Sequence, residues 1–159
     1  MTVKVTCSAF VDNILHSVYY GDTELDVIGN TGKESEIKTF SFKIDQTSTE
    51  ANKLKVEVED HQNEDHCSKA GLILQCKAKD QTGKDVESSP WHKFKSNTNE
   101  WQSKEGSELC KVPESGTFFE HTDHSGVKEL LFAGAIVIWT KDKKSTVLIG
   151  SPSSKGNFT

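Results

Sequence analysis

The chain has 159 residues, a net charge of −5, and 33% hydrophobic against 27% charged residues, enough for one domain with its own core. All 19 basic residues are lysine. The planar guanidinium that pairs with phosphate and guanine is therefore missing, and a net-acidic chain without arginine argues against nucleic acid as a partner. The longest apolar run, Leu130 to Trp139, is interrupted by Gly134 and falls well short of the ~20 residues of a membrane helix, so no membrane insertion is expected.

Strand-type alternation runs along the chain. Val3, Val5, Cys7, Ala9 and Val11 share one face, opposite Thr2, Lys4, Thr6 and Ser8, the period-two signature of a strand with one dry side. Met1 leads straight into this strand rather than into a secretory leader, as in a cytosolic protein or in the mature form of a secreted one. Ile14 to Tyr20 and Leu25 to Ile28 flank Gly21-Asp22, a pair suited to a tight hairpin turn. Phe40, Phe42 and Ile44 alternate with Thr39, Ser41 and Lys43, and Leu54, Val56 and Val58 with Lys53, Lys55, Glu57 and Glu59.

Ala70 to Cys76 and Ala135 to Trp139 are nearly continuous apolar runs, expected as central strands covered on both faces. Ser145 to Ile149 is expected to form a hairpin with Ala135 to Thr140 across Lys141-Asp142-Lys143-Lys144. Residues 79 to 128 are the least regular stretch, rich in Ser, Lys, Glu and Gly, and an irregular stretch of that length is a place for function or mobility. No window keeps a helical apolar stripe over three turns. The pattern predicts an all-β fold with little or no helix: a two-sheet antiparallel β-sandwich, a jelly roll of about eight strands. One domain spans 1–150, and 151–159 form a frayed, flexible tail.

Four cysteines, Cys7, Cys67, Cys76 and Cys110, are widely spaced without a CxxC pair, which disfavours a structural zinc site. Two disulfides of an extracellular domain are favoured over four reduced, buried thiols of a cytoplasmic one, and three pairings remain open.

The order of elements resembles galactose-binding-like β-jelly-roll modules of the extracellular invertebrate type. The matching pieces are Val5 to Val11 with Asp12-Asn13, "VYYGDTEL" at 18–25, "EIKTFSFKI" at 36–44, "NKLKVEVED" at 52–60, "AGLILQC" at 70–76, "SSPWHKF" at 88–94 with Trp101, "FAGAIVIW" at 132–139 and "STVLIG" at 145–150. The resemblance covers about residues 3–150. It departs from the pattern in its extra cysteines, in the long polar stretch 95–128, and at Tyr20, where the turn often begins with Asn. It implies a module of a larger adhesive or carbohydrate-binding protein, and jelly rolls of this type often carry a structural Ca2+.

The candidate ligand site is Trp91, His92, Asn97, Asn99 and Trp101. Indole faces stack on the apolar faces of sugars, and nearby amides hydrogen-bond their hydroxyls. The competing reading makes both tryptophans plugs at one end of the sandwich. Asp60, Glu64 and Asp65 crowd oxygen ligands suited to Ca2+, although a solvated acidic turn is the plainer reading. Glu120, His121, Asp123 and His124 have the side chains for zinc or copper, but on a loop this spacing fixes no geometry. Nucleophile-elbow, phosphate-loop, dinucleotide and zinc-helix motifs are missing from the sequence. A non-enzymatic module that binds a carbohydrate or glycoprotein, requires no cofactor and acts outside the cell is therefore expected. The rival is a structural or adhesive domain acting through protein contacts, including homo-oligomers.

Overall fold

The structure, a computed structural model, describes residues 2–12, 14–30, 37–45, 53–59, 71–86, 101–103 and 144–150, of which Asp12, 101–103 and 144–150 are described by their backbone alone. Nine strands are described: β1 (Thr2–Asp12), β2 (Ile14–Tyr20), β3 (Thr23–Glu24), β4 (Lys38–Asp45), β5 (Lys53–Glu59), β6 (Gly71–Lys79), β7 (Asp85–Val86), β8 (Trp101–Ser103) and β9 (Lys144–Gly150). They form a four-stranded sheet, β4-β1-β6-β7, and a five-stranded sheet, β3-β2-β5-β9-β8, and neighbouring strands run antiparallel throughout. Among the described residues the all-β, two-sheet fold expected from the alternation is therefore present. No helix among the described residues is long and apolar enough to cross a membrane.

The sheets meet over one core. Val3, Val5, Cys7, Ala9 and Val11 of β1, Phe40, Phe42 and Ile44 of β4, and Leu72, Leu74, Cys76 and Ala78 of β6 face Leu15 and Val18 of β2 and Leu54, Val56 and Val58 of β5. These are the apolar members of each alternation, and apart from Ile14, Tyr19, Phe10 and Ile73 the residues on the other side of these strands are polar or glycine. Tyr20 of β2 stacks on Phe42 of β4, with ring centroids 4.4 Å apart, a direct contact between the two sheets. Lys38, in phase with Phe40, is also buried on this side, opposite Ala9 in the ladder.

β6 lies inside its sheet, and its first four residues, Gly71 to Leu74, are all buried before strict alternation resumes at Gln75. The expected cover on both faces thus holds for the first half of the strand. Ile73 and its ladder partner Phe10 are the buried pair on the side away from the main core.

A disulfide joins Cys7 to Cys76, across a sequence separation of 69. Its place follows from the ladder. Thr39 exchanges both backbone hydrogen bonds with Ile28, so its neighbours Lys38 and Phe40 point theirs toward β1. Cys7, opposite Phe40, uses its own backbone groups on that side. The Cys7–Cys76 position is then a non-hydrogen-bonded pair, where antiparallel strands come closest and side chains on one face meet. Of the three pairings open to the sequence, the two containing Cys7 with Cys67 or with Cys110 are excluded.

Two expectations are corrected. The hairpin turn at Gly21-Asp22 is present, with Tyr20 opposite Thr23 and Gly21 at φ 60°, but the returning strand ends at Glu24 instead of running to Ile28. Leu25 donates one more bond to Val18, after which the chain crosses to the other sheet, where Ile28 bridges Thr39. The crossing turns at Gly29, at φ +83°, where a Cβ would come within 2.6 Å of the Ile37 carbonyl oxygen. The second correction concerns β9. Val147 to Ile149 have β5 on one side and β8 on the other, so these residues offer no edge to the expected hairpin partner, Ala135 to Thr140, which lies outside the described residues.

Within the stretch 79–128, residues 80–86 are regular. Asp80 to Lys84 form a tight hairpin turn between β6 and β7. Asp80 donates its backbone N–H to the Lys84 carbonyl, Gly83 donates to the Asp80 carbonyl, and Gly83 sits at φ 85°, the arrangement of a turn closed by a glycine bulge. The Asp80 carboxylate accepts the Thr82 hydroxyl at 2.6 Å and the backbone N–H groups of Thr82 and Lys84. The Thr82 hydroxyl, with those N–H groups, holds the Asp80 carboxyl below its ordinary range. A depressed carboxyl stabilises the fold above its unfolded pKa and loses that contribution as pH falls through the folded value. Asp80→Ala is therefore expected to lower the melting temperature at neutral pH, with the gap to the parent narrowing below about pH 4, as followed by thermal denaturation across pH.

Candidate functional site

Of the residues singled out for ligand and cation binding, Trp101 alone falls among the described residues. Trp91, His92, Asn97 and Asn99 lie outside them, as do Asp60, Glu64, Asp65 and the cluster of Glu120, His121, Asp123 and His124. The strands on which these segments begin and end are nevertheless fixed, and they set the geometry.

Trp101 heads β8, the edge strand of the five-stranded sheet. It pairs with Ile149, Ile149 with Leu54, and Leu54 with Tyr20. Residues directly opposite in antiparallel strands share a face, and Leu54 is fully buried. Trp101 thus sits in the row of Ile149 and Leu54, at the edge of the five-stranded sheet. The next row, Gln102, Leu148, Lys55 and Tyr19, belongs to the outer face, where Lys55 lies 4.4 Å over the Tyr19 ring, within the range of a cation–π contact.

The segment carrying Trp91, His92, Asn97 and Asn99 immediately precedes β8. It enters the sheet at the end marked by the Gly21-Asp22 turn, because Tyr20 shares the row of Trp101. The acidic segment beginning at Asp60 leaves β5 after Glu59, which pairs with Ile14 at the opposite end. Leu54 and Glu59 are separated by five residue steps of β5, about 17 Å of extended chain. The indole-bearing and oxygen-rich segments are therefore anchored at opposite ends of the same sheet.

A cluster that composition did not single out lies on the outer face at the Glu59 end. The ladder pairs Leu15 with Val58 and Ser17 with Glu57, leaving His16 as an extra residue in β2, a β-bulge of the kind that re-aims side chains. The His16 Nε2 lies 2.8 Å from Glu59 Oε1, and the Ser17 hydroxyl donates to Glu57 Oε2 at 2.6 Å. Lys55 Nζ is 3.8 Å from the other Glu57 oxygen. The bulge has a sequence signal: the inward residues Leu15 and Val18 are three apart where period two requires two or four. Ser17 is engaged by Glu57 and His16 by Glu59, so these residues form two hydrogen-bonded pairs instead of a serine–histidine relay. Among the described residues no group of three or more His, Cys, Asp or Glu side chains is placed to hold a metal ion. Asp22, Glu24 and Asp26 are exposed, as the wet side of the first hairpin.

No family model, no curated protein and no solved structure matches the chain.

Proposed function

We propose that this domain is a non-catalytic module that recognises a carbohydrate or glycoconjugate outside the cell, in the manner of the galactose-binding-like jelly rolls its strand order resembles. The observation that carries the proposal is that edge strand β8 begins at Trp101, directly after the stretch of sequence that bears Trp91, His92, Asn97 and Asn99. Aromatic faces and amides at a rigid rim are the chemistry of sugar recognition. The Cys7–Cys76 disulfide supports an oxidising compartment.

In this reading the two tryptophans do different work: Trp101, in the row of Ile149 and Leu54, anchors the segment, and Trp91 stacks on the ligand. A glycan array tests this, with circular dichroism as the fold control. Trp91→Ala is expected to remove glycan binding and leave the spectrum unchanged, whereas Trp101→Ala lowers the melting temperature as well. Absence of glycan binding above background in the parent protein contradicts the proposal. Ca2+ at Asp60, Glu64 and Asp65 would be structural, since that segment starts about 17 Å from the row of Trp101. Chelation is therefore expected to leave glycan affinity unchanged, and a chelator-sensitive array signal would place the cation at the sugar instead.

A further inference from the structure

We infer that the Cys7–Cys76 disulfide is closed to thiol exchange while the domain is folded, so that it is reduced only by way of the unfolded chain. Exchange requires a thiolate to attack one sulfur. The S–S bond breaks, the departing sulfur takes up a proton, and a second thiol of the reductant resolves the mixed disulfide. With a dithiol such as dithiothreitol the protein gains two electrons and two protons, and the reagent closes to its cyclic disulfide. The first step demands access to a sulfur. Cys7 is 0% and Cys76 1% exposed, and both belong to the core between the sheets.

Local fraying does not readily provide that access. Cys7 lies in the middle of an 11-residue strand paired on both sides, and its ladder with β6 extends over Val5–Ala78 and Lys4–Lys79 in one direction and to Asp12–Gly71 in the other. Exposing the sulfurs means separating the sheet at its centre and parting it from β5, a loss of most of the core. The domain thus keeps the oxidation state in which it folded, even when later exposed to a reductant.

The test follows thiol release at Cys7 and Cys76 by differential alkylation and mass spectrometry after adding dithiothreitol. Reduction of the folded protein is expected to be at least about 10³-fold slower than that of the urea-unfolded chain, the suppression given by a small unfolded population. Val56→Ala, on the facing strand β5, leaves both cysteines in place. It is expected to speed reduction by the factor by which it raises the unfolded fraction, measured in parallel. A folded-state rate close to that of the unfolded chain, or one that Val56→Ala leaves unchanged while lowering stability, overturns the inference.

Discussion

Replacing Cys7 and Cys76 together by alanine is expected to destabilise the domain by about 4 kcal/mol, because the bond closes a loop across a sequence separation of 69 and removes that freedom from the unfolded chain. In a domain of this size the loss corresponds to a fall of about 10 °C in melting temperature. Both residues are small and already inside the core, so the double variant removes little apolar volume and the change falls mainly on the unfolded state. Urea unfolding of the parent, the reduced parent and the variant separates the contributions. Reduced parent and reduced variant are expected to agree closely, and a non-reduced variant as stable as the oxidised parent would deny the bond its role.

Phe40→Ala is expected to cost a further about 3–5 kcal/mol. Phe40 is 1% exposed and lies in β4, which pairs with β1 but with no other named strand. The cavity therefore opens at the flank of the four-stranded sheet, beside Cys7, its ladder partner. Contacting residues do not act independently. With the disulfide gone, β1 can relax toward the void, and the triple variant is expected to lose less than the sum of the two losses. Strict additivity in urea unfolding would place Phe40 and the disulfide in separate parts of the core.

The strands were legible because period two leaves little choice of face. Val3 to Val11, Phe40 to Ile44 and Leu54 to Val58 each bury the members that the alternation marks. Which strands become neighbours was not legible, since alternation sets a face and carries no partner. The pairing of β9 with β5 and β8, which denies the expected hairpin its edge at Val147 to Ile149, is a property of the whole sandwich. Leu25 to Ile28 look like a strand because apolar and acidic residues alternate there, yet Leu25 and Val27 pack on the core from a crossing segment. Lys38 is the reverse case, a cation in the inward phase that composition assigns to water.

The candidate site was less legible than the fold. Trp101 could be named from its residue type and polar neighbours, but the row it takes in the sheet depends on strand register. That follows from Ile149 and Leu54, far away in sequence. The separation of the Trp-bearing and acidic segments to opposite ends of β5 has the same origin. The Asp80 turn, by contrast, had a local signal: an Asp-Gln-Thr-Gly run after an alternating strand is turn chemistry.

Peptide mapping of the non-reduced, alkylated protein tests the sandwich most directly, because the pairing of β1 with β6 sets Cys7 directly opposite Cys76. The expected result is a linked pair of peptides carrying Cys7 and Cys76. Linkage of Cys7 to Cys67 or Cys110, or four alkylated thiols, would contradict the pairing of the central strands and the oxidising setting drawn from it.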